Sequence, residues 1–391
     1  MRKFKRTVVT IVSLFCVAAS GSENNRDRHE VHIGLASNFS EVSQSSSNPF
    51  GDYFRNGVQL ALANFEKRLE KKNIKVHFDE FDYGTSQLRV LDAAKKANSS
   101  EVIAVVGYNW SSFALLAAPL HQNAGLPMLT PSATADRIGK MGAFVHMASF
   151  DNGFMGATLA KVGRQRLKGK TAAMVVAEDC AYCHDLADGF ALEFKRLGGQ
   201  INIRAAISES QQDFKDIVAS IKKNKPEIIL IPNYELTSAR VITALIESGV
   251  NVPFLGGDGW GNVGEQFFKL LNGQNFTAYS VSHWHPEIKN AISNEFVKQY
   301  STKFGKEPND TAVLAYDSTS IILTALLSLK KFSRAAVEKE LLKARVFDGV
   351  TGKFRFNERG GAPEKSIVLM RNEASQFKVV ERIDPKRGGS H

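Results

Sequence analysis

Three short polar segments carry most of the chemistry in this chain, and each stands just after an apolar run. Gly107-Tyr108-Asn109-Trp110-Ser111-Ser112 follows residues 102–106 and precedes a helical pattern. A serine at such a junction offers its hydroxyl, backbone N–H groups and the positive end of a helix dipole, a set that suits a carboxylate. Thr130-Pro131-Ser132-Ala133-Thr134 follows residues 128–129 and adds donors and a free carbonyl. Gly256-Gly257-Asp258-Gly259-Trp260 follows residues 252–255. Asp258, flanked by glycines, is a carboxylate on exposed backbone that can face a cation. Strand ends are where open α/β sheets bind ligands. An anion site on one side and a cation partner on the other would be bridged by a zwitterion.

Other motifs carry less. Cys180-Ala181-Tyr182-Cys183-His184 has the spacing of covalent haem attachment, and equally that of a local disulfide or two free thiols. No second axial ligand can be identified, and Cys183 with His184 is too small a set for a metal. His283-Trp284-His285 could turn two imidazoles to one side of an extended segment, but no carboxylate partner is evident. Residues 259–264 match G-x-G-x-x-G, yet the match comes late, Trp260 would crowd a pyrophosphate, and the next strand ends without an acid. Gly163 through Gly169-Lys170-Thr171 is one residue too long for a phosphate loop and runs into a strand. Neither G-x-S-x-G nor H-E-x-x-H occurs. Nothing points to an enzyme, a cofactor or a metal.

Apolar runs of strand length (31–36, 74–81, 102–106, 172–177, 228–231 and 252–255) alternate with amphipathic stretches such as Val58, Leu62, Phe65 and Leu69. Several runs are apolar on both faces, as in a parallel sheet covered by helices. The alternation predicts an α/β chain of two doubly wound βα lobes, restarting near Lys170. Short strands end the chain, around 353–356, 366–371 and 376–381. With 391 residues, 43% apolar and 23% charged, the composition is ordinary for a globular chain and excludes disordered and disulfide-scaffold classes.

At the three polar segments the sequence resembles the exported type I solute-binding proteins of ABC importers, in particular the leucine/isoleucine/valine-binding group. The resemblance runs from about His29 to Ile383 through V-x-I-G-L, a G-x-x-x-A helix near Gly57, V-V-G-x-x-x-S-S, L-T-P-S-A-T and F-L-G-G-D-G-W. It implies two lobes joined by a three-crossing hinge that close on a ligand, as in the type I periplasmic binding protein fold. The expected division is 29–150 with 283–363 in lobe 1, 151–282 with 364–384 in lobe 2, and a flexible tail at 385–391. By position, Ser111 and Thr134 would hold an α-carboxylate, while the Ser132 carbonyl and Asp258 would hold an α-ammonium. Tyr182 and Tyr234 would close the cleft from the second lobe, with Phe50 and Trp110 beside the side-chain pocket. Asp258 stands where the branched-chain binders carry Glu, Phe50 replaces a Tyr, and Trp110 replaces a Cys, so the ligand need not be leucine. A Cys180–Cys183 disulfide would brace the cleft lip at Tyr182, whereas haem there would obstruct it.

The first twenty residues carry Arg2, Lys3, Lys5 and Arg6, then an apolar run and small residues, the pattern of an export signal at 1–20. Removing those four charges from the formal +10 leaves +6. Cys16 raises a lipid anchor, but the bulky Phe15 before it suits acylation poorly, so the reading is a cleaved, periplasmic protein at most peripheral to the membrane. No later segment reads as long and apolar enough to span a bilayer. The basic run Lys67, Arg68, Lys71, Lys72, Lys75 is interrupted by Glu66 and Glu70 and reads as a solvated helix face, not a nucleic-acid surface. The expected partners are a small-molecule ligand and an ABC-transporter permease, with the chain itself a monomer. A ligand-sensing receptor component of the same fold is the alternative.

Overall fold

The computed structural model describes residues 28–40, 49–261, 265–288, 290–343, 346–356 and 361–385. The expected export signal, Cys16 and the tail beyond Pro385 lie outside these residues.

Five parallel strands form the first sheet: β1 (His29–Ser37), β2 (Ile74–Asp82), β3 (Ala104–Gly107), β4 (Met128–Thr130) and β5 (Val145–Met147), in the order β2-β1-β3-β4-β5. Val31, Ile33 and Leu35 project to one face, where the helices Pro49–Glu70 and Asp310–Ser328 cover them. Val105, Met128, Val145 and Met147 project to the other face, under the helices Gln87–Ser99 and Ser111–Ala124. Burial on both faces is why these strands read as unbroken apolar runs.

The second sheet holds β6 (Thr171–Ala177), β7 (Gln200–Ile207), β8 (Ile228–Leu230), β9 (Phe254–Gly256) and β10 (Ala278–Ser282). A hairpin of β11 (Val346–Gly349) and β12 (Gly352–Arg355) stands apart, and β13 (Ile367–Glu373) and β14 (Gln376–Ile383) return to this sheet. Its order is β14-β13-β10-β9-β8-β6-β7, with β13 antiparallel to both β10 and β14 and the rest parallel. The predicted strand at 252–255 is shifted, since β9 is Phe254–Gly256. The chain passes between the sheets along 148–152, 283–288 and 361–366, giving two α/β lobes joined by three crossings.

One expectation fails here. The helix Asp310–Ser328 is long and apolar enough to cross a membrane on length and composition. Its apolar window is 72% buried inside the protein, so it is a core helix. Asp317, in its middle, is fully buried and accepts hydrogen bonds from the Val350 and Thr351 N–H groups and the Thr351 hydroxyl, at 2.7–2.9 Å. That ties the helix to the turn of the β11–β12 hairpin.

Candidate functional site

The first-lobe wall begins where β3 ends. Gly107 has φ +153°, and a Cβ there would lie 2.2 Å from the Ala36 carbonyl oxygen, so the chain can leave β3 along this path only as glycine. Trp110 caps the helix Ser111–Ala124, placing the Ser111 hydroxyl at its N-terminus. Ser111 Oγ accepts from the N–H groups of Thr134 (3.2 Å) and Ala135 (3.1 Å), so two residues 23 apart in sequence meet as expected. Ser132 Oγ donates to the Asn109 carbonyl at 2.9 Å, and Thr130 Oγ1 donates to the Tyr108 carbonyl at 2.6 Å. These bonds fix the second polar segment onto the first.

Neutral groups support this wall from behind. Tyr83 and Tyr108 stack at 5.4 Å, and the Tyr83 hydroxyl accepts from the Asn109 N–H at 3.2 Å. His121 meets the Tyr108 hydroxyl through Nε2 (3.1 Å) and Asn98 Oδ1 through Nδ1 (2.7 Å). Burial, with Arg334 adding to it, pushes His121 down to about 4, so its ring is neutral at ordinary pH. Burial raises both tyrosines, so their hydroxyls keep their protons.

The second-lobe wall is aromatic and acidic. Cys180 caps the helix Ala181–Arg196, and its sulfur is joined to that of Cys183. With both sulfurs in that bond, neither can form a thioether, so the haem alternative falls. Glu209 lies close to both cysteines, but paired sulfurs are not thiolate ligands for a metal. The Tyr182 ring, between the two cysteines, stacks on Tyr234 at 5.0 Å. Its hydroxyl accepts from the Gly259 N–H at 3.0 Å and lies against the Asp258 carboxylate. A Cβ on Gly257 would sit 2.2 Å from that hydroxyl, which explains one glycine of the G-G-D-G run by close approach. Burial and the Asp258 charge raise the Tyr182 phenol well above its usual range, so it remains a donor.

Asp258 is the only charged group among the expected ligand residues, and its side chain is 12% exposed. Its Oδ2 meets His283 Nε2 at 3.0 Å, while Oδ1 is buried and makes no hydrogen bond to the described residues. The sequence offered no carboxylate for His283, and the structure supplies one. Asp258 and His283 follow the adjacent parallel strands β9 and β10, paired at Gly256 and Ser280, so both side chains emerge at one sheet edge. Strand order, not local spacing, was the missing signal. His285 does not join Asp258; it lies 3.8 Å from Glu287.

The two walls touch. Ser112 Oγ accepts from the Ala181 N–H at 3.4 Å, and the Tyr234 hydroxyl lies near the Ser111 backbone. Phe50 stacks on Trp110 at 4.8 Å beside them. Ser111, Ser132, Thr134, Phe50 and Trp110 thus lie together on one side, and Tyr182, Tyr234 and Asp258 on the other, with contacts between the two sets. Glycines of the other two motifs have structural roles: a Cβ on Gly259 would lie 3.0 Å from the Tyr182 ring, and the Gly169 N–H bonds the Gly163 carbonyl ahead of β6.

Known proteins resemble this chain along most of its length. The family described as periplasmic binding protein matches residues 30–376. A leucine-, isoleucine-, valine-, threonine- and alanine-binding protein of Pseudomonas aeruginosa is 24% identical over 323 residues, covering 80% of this chain and 82% of that protein. The crystal structure of a leucine-binding protein LivK from Thermotoga maritima superposes with a TM-score of 0.81 at 25% identity, covering 91% of this chain and 99% of that one. An ABC-transporter solute-binding protein of R. palustris, solved with benzoate, shares the fold at a TM-score of 0.77 and 18% identity, covering 91% and 97%. With a match spanning nearly all of its described residues, the chain belongs to the periplasmic binding protein family.

Proposed function

We propose that the chain is the periplasmic substrate-binding component of an ABC importer and that its interlobe cleft captures an α-amino acid by lobe closure. The observation that carries this reading is Asp258: a nearly buried carboxylate with one oxygen held by His283, the Tyr182 hydroxyl against it, and Oδ1 without a geometric hydrogen bond to the described residues. It connects to the Ser111 and Thr134 segments through the Tyr182–Tyr234 stack and the approach of Tyr234 to the Ser111 backbone. A carboxylate and an ammonium on one carbon would satisfy both walls. Phe50 and Trp110 would then contact the ligand side chain, and the Ser132 carbonyl would share the ammonium. No covalent chemistry is involved. The chain would act as a monomer delivering its ligand to a permease, with residues 29–150 and 283–363 as one lobe and 151–282 and 364–384 as the other.

The relatives support an aliphatic amino acid, whereas a benzoate-bound protein of the same fold shows that the architecture alone does not set ligand class. A thermal-shift panel of L-amino acids, small amides and benzoate tests the reading. A ligand at about 100 times its dissociation constant adds roughly 2.7 kcal/mol of stability. Shifts with α-amino acids and none with benzoate are expected, and the reverse pattern would reject an ammonium-binding cleft.

A further inference from the structure

The three interlobe crossings are tied together by buried groups, one of which, His283, touches Asp258. Lys365, on the third crossing, is 1% exposed; its Nζ donates to the Ala148 carbonyl of the first crossing at 3.2 Å and stands 4.5 Å from the Phe354 ring centre. His283, on the second crossing, stacks on Phe150 of the first at 3.9 Å, with ring planes 17° apart. Its Nε2 meets Asp258 Oδ2, while Nδ1 is buried and makes no hydrogen bond to the described residues. An ionised carboxylate only accepts, so Nε2 must carry the proton. A second proton on Nδ1 would leave a charged donor buried without a partner, which is costly. The geometry therefore favours a neutral His283 that orients Asp258 without neutralising it.

We propose that His283 and Lys365 are positioning residues for ligand selectivity: His283 holds the Asp258 carboxylate so that Oδ1 faces a ligand ammonium, and Lys365 tunes how strongly that ammonium is held. This rests on the assignment of Asp258 as the cation acceptor. The charged groups around Lys365 are Asp317 from the helix Asp310–Ser328, Arg382 from β14 and Asp258 from the end of β9. Those around His283 are Lys365 and Asp258, and the Tyr182 and Tyr234 hydroxyls also face Asp258. Lys365 is among the residues lining a cavity of about 690 Å³, with Arg382, Glu364 and Asp384.

Burial pulls Lys365 down to about 7, with Asp317 and Asp258 acting against burial and Arg382 with it. Burial and the Lys365 charge hold His283 at about 4. The sign of the linkage follows. An ammonium arriving at Asp258 repels the Lys365 cation, so binding releases a proton. Affinity then rises as pH increases through about 7, by at most about tenfold per pH unit, and levels off once Lys365 is neutral.

The test compares L-leucine with 4-methylpentanoate, which keeps the carboxylate and side chain but lacks the ammonium, by calorimetry on the full mature chain from about pH 6 to about pH 8.5. The wild type should prefer leucine, with the pH step in leucine binding alone. His283→Leu should reduce the preference by about tenfold or more, and His283→Gln, which can still donate to Oδ2, should keep most of it. Lys365→Met should remove the pH step and retain the preference. A folded His283→Leu with the full preference, or a Lys365→Met with the full pH step, overturns the proposal and leaves Asp258 as the acceptor. If leucine and 4-methylpentanoate bind equally to the wild type, the Asp258 assignment and this proposal fall together. A ligand-free readout stands beside these: imidazole 15N shifts of His283 should show the neutral Nε2–H tautomer near pH 7, and an Nδ1–H tautomer or an imidazolium overturns the proposal whatever the variants do.

Discussion

The walls that carry Ser111 and Asp258 are built in opposite ways. Around Ser111 the polar groups are neutral and bonded to one another: Thr134 and Ala135 to Ser111, Ser132 to Asn109, Thr130 and His121 to Tyr108. Around Asp258 the charge sits on one residue, flanked by two stacked tyrosines and one histidine, with a carboxylate oxygen left open. The first wall offers many weak donors whose positions are over-determined. The second concentrates its contribution in a single group. Loss of any one donor from the first wall should therefore be tolerated better than loss of Asp258.

Asp258→Ala is the sharpest way to break that comparison. It should cost about 2–5 kcal/mol of affinity for the bound amino acid, as expected when one partner of a buried ion pair is removed. Titration calorimetry measures it, and an unchanged dissociation constant would mean that the charge is not where the ligand sits. Ser111→Ala should cost less affinity, about 1–3 kcal/mol, because backbone donors remain. It should also lower the melting temperature, since the Thr134 and Ala135 N–H groups lose their acceptor. Equal affinity losses from the two variants would erase the asymmetry.

A further effect, spread over pH, concerns the buried histidines. His121 behind the first wall and His283 beside the second are both held at about 4 by burial, against about 6.5 in an unfolded chain. Because the folded values lie below the unfolded ones, the stability is present above about pH 6.5 and is lost as pH falls toward 4. Each ring contributes up to about 1.4 kcal/mol per pH unit in that window. His146, held at about 4 in the same way, adds to the slope. Melting curves of wild type and His121→Gln between those pH values should differ in slope, and parallel curves would show that the ring is not buried neutral.

Much of the fold was legible because parallel strands covered on both faces appear as continuous apolar runs, as in Ala172 to Ala177. The helix Asp310–Ser328 was missed for the complementary reason. Buried almost all round, it has no polar stripe to reveal its period. The three polar segments were legible because each is short and ends a strand. The Asp258–His283 pair was not, since it depends on β9 lying beside β10, a fact of strand order that local spacing does not encode. The C-x-x-C-H run left three alternatives open, and only the sulfur-to-sulfur bond in the fold selects among them.

The aromatic wall has an optical consequence. Of the three tryptophans, Trp260 and Trp284 are sealed in the two lobes, their indole N–H groups bonded to the Ser238 and Ser293 hydroxyls at 2.7 and 2.8 Å. Their emission should stay constant while the cleft fills and empties. Trp110, half-buried and stacked on Phe50 at the cleft, is the one indole whose surroundings would change. A ligand bound there would turn Trp110 into a built-in fluorophore whose intensity tracks occupancy against a fixed background, without any dye attached.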